Sequence, residues 1–223
     1  MTSDPHHSPA SAPTDDDRYG RILRRATQAF LSHGYAGTSV ETVAIDVGVS
    51  KLTIYSLFKD KLGLAKAVLQ GLSSNLEVTC RATINDNSSI EECLINFGAA
   101  YVRWMLQDVG RGMHHYGISK LLIEMSSTHP GFSQSWLDSV ERVIVTPLSE
   151  YIDEHIRRGE LSGETGRFLA GEFIGNLFHA SPAIVLQDRY SYLRNEDALM
   201  DLMRRKVGLF LRGCATSKLK PAR

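Results

Sequence analysis

Cations and hydroxyl-bearing side chains are concentrated in one short stretch of the chain, between residues 50 and 61. Its members are Ser50, Lys51, Thr53, Tyr55, Ser56, Lys59 and Lys61, of which Lys59 is expected to be a solvated surface cation. Lysines neutralise phosphates, and hydroxyls donate to phosphate oxygens or to base edges, so this combination suits a nucleic acid. Apolar residues recur between them at helical spacing, at Val49, Ile54 and Phe58. The stretch therefore predicts a helix with one packed face and one face that recognises DNA.

The distribution of charge along the chain supports this interpretation. The formal net charge is zero, because 25 Lys and Arg balance 25 Asp and Glu. Residues 18–71, however, hold eight basic and three acidic residues, whereas residues 72–223 are nearly neutral. A basic block beside a near-neutral one indicates that the first faces a polyanion and the second does not.

A helix-turn-helix pattern positions the polar stretch. The run Thr38-Ser39-Val40-Glu41 predicts a capping box at the start of a short helix, and Gly48 predicts the turn that ends it. Ser50 then caps a second short helix, and Asp60 caps a long one over about residues 61–84. Two short helices joined by a tight turn at glycine are typical of DNA-binding proteins.

The remaining pattern is helical almost throughout. From Arg18 onward a first helix carries Ile22, Leu23, Ala26, Ala29 and Phe30 on one face, and Gly34 is its expected C-cap. No alternation typical of strands and hairpins is evident, so we expect an all-α fold. Residues 1–17 are rich in proline, serine and aspartate and have little to bury, which predicts a disordered arm.

The segment from Thr38 to Lys61 closely resembles the signature of TetR-family transcriptional regulators, and the upstream residues Ala26, Phe30, Gly34 and Tyr35 add to the resemblance. The resemblance implies a three-helix helix-turn-helix DNA-binding domain followed by a helical ligand-binding and dimerisation bundle. We accordingly divide the chain into an arm (1–17), a DNA-binding domain (18–64), a ligand-binding and dimerisation domain (65–213) and a basic tail (214–223).

The family pattern also implies roles for single residues. The Tyr55 hydroxyl is expected to contact a phosphate, and Leu52 replaces the glycine of many members, where it would meet a thymine methyl. Ser56 and Leu57 replace the aromatic or histidine residues frequent in relatives, which leaves the operator sequence open. The expected DNA-binding residues are Thr38, Ser50, Lys51, Leu52, Thr53, Tyr55, Ser56 and Lys61.

The C-terminal part resembles the variant C-terminal domain of AefR-like regulators over Leu121 to Leu186. The resemblance rests on Glu124, the run His129-Pro130-Gly131-Phe132, the turn at Arg158–Leu161 and the run Phe173-Ile174-Gly175. Because ligands vary greatly among such domains, the resemblance names no ligand.

Apolar and aromatic residues at helical spacing in the middle of the chain are the candidates for a ligand pocket. In the architecture that the resemblance implies, the expected pocket residues are Phe97, Tyr101, Trp104, Met105, Tyr116, Met125, Trp136, Val140, Asn176 and His179. Such stripes more often form a plain core, and both interpretations stay open. His114 and His115 are adjacent, so their rings diverge on a helix, which argues against a shared metal site.

Two helices near the end, over residues 165–186 and 195–212, are the expected dimer interface. The residues concerned are Phe168, Gly171, Ile174, Gly175, Phe178, Leu202 and Phe210. Gly171 and Gly175 would allow close helix approach, and the resemblance implies a four-helix bundle with a second subunit. Pro147 and Pro182 lie inside helical stretches and predict kinks or restarts.

Other classes of protein are disfavoured. No apolar run reaches the roughly 18–20 residues of a membrane span, and residues 1–17 lack the apolar core of a secretory signal. Cys80, Cys93 and Cys214 form no pair motif, which favours buried thiols in a reducing cytosol over disulfides or structural zinc. Nucleophile-elbow, phosphate-loop and metalloprotease motifs are absent, so we expect no enzyme and no cofactor.

Together these features predict a homodimeric regulator, most often a repressor in this family, that leaves a palindromic double-stranded operator when a small apolar or amphipathic molecule binds. Two alternatives remain open at this stage. One is a DNA-binding protein that acts without an effector, and the other is a helical small-molecule enzyme or carrier.

Overall fold

A computed structural model describes residues 15–85, 87–109, 112–129, 131–163, 165–177 and 191–218. Its α-helices are α1 (Asp15–Gly37), α2 (Val40–Val47), α3 (Lys51–Phe58), α4 (Lys61–Arg81), α5 (Ile90–Met105), α6 (His114–Thr128), α7 (Phe132–Val140), α8 (Thr146–Arg157), α9 (Gly166–Leu177) and α10 (Glu196–Cys214). The all-α prediction is confirmed. A small departure is a two-residue antiparallel ladder between α5 and α6, in which β1 (Asp108–Val109) pairs with β2 (Gly112–Met113).

Helices α1, α2 and α3 enclose a small core of their own. The largest contributors, Ile22, Phe30 and Ile54, have no solvent exposure, and Val43 and Phe58 close the core from α2 and α3. Burying these side chains stabilises each by about 1.5–3 kcal/mol relative to exposure, which fixes the orientation of the short helices. The face of α3 opposite this core is left for solvent.

The bounds of α1 differ from the prediction at both ends. It begins at Asp15, so Asp15–Asp17 form its first turn instead of the end of an arm. The predicted disorder of the preceding residues falls outside the described part of the chain. Gly34 interrupts the helical geometry, as expected of a C-cap, because its backbone has a positive φ (77°) and makes a kink, after which a short helical stretch continues to Gly37.

Helix α4 connects the N-terminal unit to the rest of the molecule. Its buried side runs from Leu64 through Leu72 to Cys80 and packs against α1, α5 and α7. Helix α6 contacts α1 closely, and a Cβ at Gly117 would lie 2.7 Å from the Leu31 backbone oxygen. The helix-turn-helix unit is therefore held by two elements of the C-terminal part.

The C-terminal helices form the remainder of the core. A π-helical turn (Glu141–Val145) joins α7 to α8, and Pro147 lies in the first turn of α8, as the predicted helix restart requires. Pro182 is outside the described residues. The turn after α8 is tied to the end of α10 by the bridge between Leu161 and Ala215.

The cysteines are free and buried, in agreement with their expected role as small apolar side chains. They are Cys80, Cys93 and Cys214. Burial raises the pKa of the Cys80 thiol to about 12, which keeps it protonated and unreactive. Among the described helices, none is long and apolar enough to cross a membrane.

Candidate nucleic-acid interface

Two capped helices set the geometry of the interface. The Ser39 side chain accepts from the Thr42 amide at the start of α2, and the Ser50 side chain accepts from the Thr53 amide at the start of α3. Between them Gly48 adopts a left-handed conformation (φ 75°), which glycine takes without strain. The predicted helix-turn-helix is present, with turns and caps where the sequence places them except at Thr38.

Helix α3 presents the predicted recognition face to solvent. Ile54 and Phe58 are buried, whereas Lys51, Leu52 and Ser56 are exposed. The exposed fraction of Leu52 is 78%. Since an exposed apolar side chain gains nothing in the free protein, this position suits contact with a thymine methyl.

The hydroxyls of α3 bond to one another in the free protein. Ser50 Oγ and Thr53 Oγ1 lie 2.8 Å apart, and Ser56 Oγ donates to the Thr53 carbonyl at 2.8 Å. Lys51 Nζ lies 5.8 Å from the centre of the half-buried Tyr55 ring. These contacts order the side chains without burying them, so Lys51 and Ser56 stay accessible to DNA.

Thr38 is not on this surface, contrary to the prediction. It is 4% exposed, and its hydroxyl donates to the Gly34 carbonyl at 2.7 Å. The N-cap of α2 is the next residue, Ser39, so the predicted capping box with Glu41 does not form. Thr38 instead satisfies a carbonyl that the kink in α1 leaves without a helical partner.

Lys61 is half-buried and turned toward the kink in α1. Its Nζ lies 3.4 Å from the Ala36 carbonyl oxygen and 4.7 Å from the centre of the Tyr35 ring. Burial lowers the pKa of Lys61, and the nearby Glu124 carboxylate partly opposes that change. The Lys61 side chain thus has a structural partner on α1 in addition to its predicted place at the start of α4.

Glu124 joins the C-terminal part to this same kink. Its Oε2 accepts from the Tyr35 amide at 2.6 Å and from the Ala36 amide at 3.2 Å. A carboxylate that binds two backbone amides is a strong, charge-assisted contact. Sequence reasoning noted Glu124 as part of a resemblance but missed this role, because the amides are 88 and 89 residues away in the chain.

Ile45 is a second exposed apolar residue that sequence reasoning missed. It lies on α2 and is 72% exposed. Its spacing from Val43 and Val47 places it off the buried stripe, which is the signal that could have identified it. Arg25, by contrast, is engaged within the unit, because its guanidinium pairs with Asp46 at 2.5 Å.

Most of the predicted pocket residues are buried in the core. Phe97, Trp104, Met105 and Met125 are at most 9% exposed, and the Trp104 indole donates to Asn75 Oδ1 at 2.8 Å. Burial raises the pKa of the Tyr101 hydroxyl to about 12. These placements agree with the plain-core interpretation that the sequence left open.

The other predicted pocket residues are dispersed. Tyr116 is 40% exposed, Val140 is half-buried, and the exposed Asn176 donates from its side chain to the Glu172 carbonyl. Trp136 lines a groove between α4 and α7. His179 lies outside the described residues, as do the side chains of His114 and His115. Among the described residues no group of three or more His, Cys, Asp or Glu could hold a metal ion.

The predicted dimer face lies open on α9 and α10. Phe168 is 52% exposed, and a Cβ at Gly171 or Gly175 would meet nothing within 4 Å. Ile174, Leu202 and Phe210 are half-buried. Leu209 on α10 is 67% exposed. Sequence reasoning did not include it in the expected dimer interface, although it lies seven residues after Leu202. Phe178 is outside the described residues.

Comparison with known proteins places the N-terminal unit in a family. Residues 22–68 match the profile of bacterial regulatory proteins of the tetR family. The HTH-type transcriptional activator FasR from Mycolicibacterium smegmatis is 39% identical over 61 residues, 27% of this chain and 28% of FasR. The HTH-type transcriptional repressor DhaR from Mycobacterium sp. is 33% identical over 67 residues, 30% of this chain and 34% of DhaR.

These alignments span about a third or less of the curated relatives, whereas the likeness in fold extends further. A solved structure of a TetR-family transcriptional regulator from Mesorhizobium loti has a TM-score of 0.66 to this chain at 19% identity. The superposition covers 89% of this chain and 97% of that one. Residues 22–68 thus belong to the tetR family of bacterial regulatory proteins, and the chain as a whole shares the fold of a solved TetR-family regulator.

Proposed function

We propose that two copies of this chain bind a palindromic operator and repress transcription until a small apolar or amphipathic molecule releases them. The observation that carries the proposal is the solvent face of α3. Ile54 and Phe58 anchor that helix, and Lys51, Leu52 and Ser56 are left free to meet a major groove.

A dimer is the form that such recognition needs. Two recognition helices reach successive major grooves only when they are held roughly 34 Å apart by an interface elsewhere in the protein. The open glycines of α9, together with exposed Phe168 and Leu209, support this interface. Helices that approach at glycine gain contact area because no side chain separates them.

Repression and an effector are the finer parts of the proposal. A dimer that covers two half-sites within a promoter occupies the surface that a polymerase would use, which supports repression. The relatives FasR and DhaR bear the names of an activator and a repressor, respectively. Transcription in vitro from the chain's own promoter separates the two, because repression lowers transcript yield and activation raises it.

DNA binding is tested by fluorescence anisotropy with a duplex of the chain's own promoter, titrated with salt. Lys51→Ala should weaken binding to all duplexes and reduce the slope of log affinity against log salt by about one. Arg205→Ala, which removes an exposed arginine of α10, is the matched control and should leave the slope unchanged. Wild-type protein with no preference for its promoter over unrelated DNA would contradict the proposal.

The dimer is tested by light scattering at micromolar protein. Gly175→Leu should prevent dimer formation and weaken DNA binding, because its side chain would fill the space between the paired helices. Gly71→Leu on α4 is the control, since a Cβ there also meets nothing within 4 Å. Wild-type protein that runs as a monomer would exclude the proposed assembly.

A further inference from the structure

A groove of 690 Å³ lies between α4 and α7, on the side of the molecule that adjoins the helix-turn-helix unit. Its walls are partly apolar, with Leu62 and Leu69 from α4 facing Phe132 and Trp136 from α7. Phe132 and Trp136 are 5% and 9% exposed, so their rings are held rigidly in the wall. A preformed groove of this size matches the volume of small-molecule sites.

The charged groups of the groove are all positive. Lys66 from α4 and Arg142 from the π-helical turn both line it, and no aspartate or glutamate does. Both cations are exposed, and neither has an ion-pair partner among the described residues. The carboxylates nearest to Arg142 along the chain are engaged elsewhere, because Asp138 accepts from Gln134 and Glu141 pairs with Arg167.

One end of the groove touches the helix-turn-helix unit. His129 lines the groove and packs edge-on against the Tyr35 ring, with ring centres 5.5 Å apart. Lys61 lies against the same Tyr35 ring, with its Nζ 4.7 Å from the ring centre. An occupant that displaces His129 would therefore disturb the kink of α1 and the start of α4 directly.

We propose that this groove is the effector site, and that it takes an amphipathic anion with an aromatic or aliphatic body and a carboxylate, sulfonate or phosphate group. The body lies against Phe132 and Trp136, and the anionic group lies between Lys66 and Arg142. This assignment rests on the proposed ligand-responsive function. It differs from the pocket that the sequence predicted around Phe97 and Trp104, whose side chains are packed in the core.

The test uses a matched pair of fluorescent probes and the full chain. One probe is 1-anilinonaphthalene-8-sulfonate, and the other is N-phenyl-1-naphthylamine, which has the same aromatic body without the sulfonate. Lys66→Gln combined with Arg142→Gln should weaken the sulfonate probe by about tenfold, because two charge-assisted contacts are lost. The uncharged probe should keep its affinity within about twofold, since the apolar wall is unchanged.

Two further variants keep the site assignment falsifiable. Lys120→Gln combined with Arg205→Gln removes the same charges away from the groove and should bind both probes as wild type does. Ser135→Trp places a large side chain in the groove and should block both probes, because it fills the space they occupy. Equal affinity of the sulfonate probe for the groove variant and its control would overturn the proposal.

The effector role is tested by adding promoter DNA. Saturating sulfonate probe should weaken DNA binding, and saturating DNA should weaken the probe by the same factor, because coupling between two sites is reciprocal. The groove variant should show neither effect. A probe that occupies the groove and leaves DNA affinity unchanged would overturn the effector role. A chain that binds no DNA would instead refute the proposed function, and the probe titrations would still decide the site.

Discussion

Helices α3 and α5 carry the two sets of residues that the sequence marks for function, and they differ sharply in exposure. Only Ile54 and Phe58 are buried on α3, so most of its side chains meet solvent. On α5 the buried residues include the predicted pocket members Phe97, Trp104 and Met105. An exposed stripe of cations and hydroxyls indicates a binding partner. An apolar stripe at helical spacing, by contrast, fits a plain core as well as it fits a pocket wall.

The consequence is that substitutions in the two helices should fail in different ways. A change on the exposed face of α3 should alter what the protein binds while leaving its fold intact. A change on α5 alters the fold first, and any effect on binding follows from that. Three experiments, ordered by the size of the expected effect, can break or sharpen this contrast.

Trp104→Ala should have the largest effect. Its indole is 1% exposed and donates to Asn75, so truncation leaves a cavity and an amide oxygen without its partner. We expect the free energy of unfolding to fall by about 3–5 kcal/mol, measured by urea denaturation. Leu52→Ala, at a position 78% exposed, is the control and should stay within about 0.5 kcal/mol of wild type. A stable Trp104→Ala protein with an altered ligand response would instead make Trp104 part of a pocket wall.

Gly117→Ala tests the contact that joins the two regions. A Cβ at Gly117 would lie 2.7 Å from the Leu31 carbonyl oxygen, so α6 and α1 would have to separate. Thermal or urea melts should show a loss of about 1–3 kcal/mol.

Gly71→Ala is the matched control for this experiment. It lies in a helix with nothing within 4 Å of the added Cβ and should gain up to about 1 kcal/mol from helix propensity. If both variants behave alike, the close approach of α6 to α1 does not exist in solution.

Leu52 should give the smallest effect, and only in sequence preference. Thymines of the promoter half-sites are replaced singly by deoxyuridine, which removes the C5-methyl group. Loss of one methyl contact should cost wild-type binding about 0.8 kcal/mol, or roughly fourfold in affinity. Leu52→Ala should bind both duplexes equally, as read by anisotropy. A wild-type protein indifferent to every replacement would remove Leu52 from the base-reading surface.

Local patterns were enough to predict the helix-turn-helix unit. Ser50, Gly48 and Asp60 act through contacts with residues at most four positions away, so spacing in the sequence already contains their roles. The apolar repeat of α10 predicted its bounds to within two residues for the same reason. Thr38 was misplaced because capping by Thr38 or by Ser39 differs by one position, which propensity alone does not resolve.

The sequence by itself determined the helical class, the two short capped helices of the helix-turn-helix and the glycine-containing stripe of α9, because each follows from spacing within one element. Only the tertiary structure decided which apolar stripe is core, that Glu124 holds the kink after Gly34, and that Lys66 and Arg142 line the same groove. Those facts join residues tens of positions apart in the chain. Their physical cause is packing between helices, which no single helix specifies.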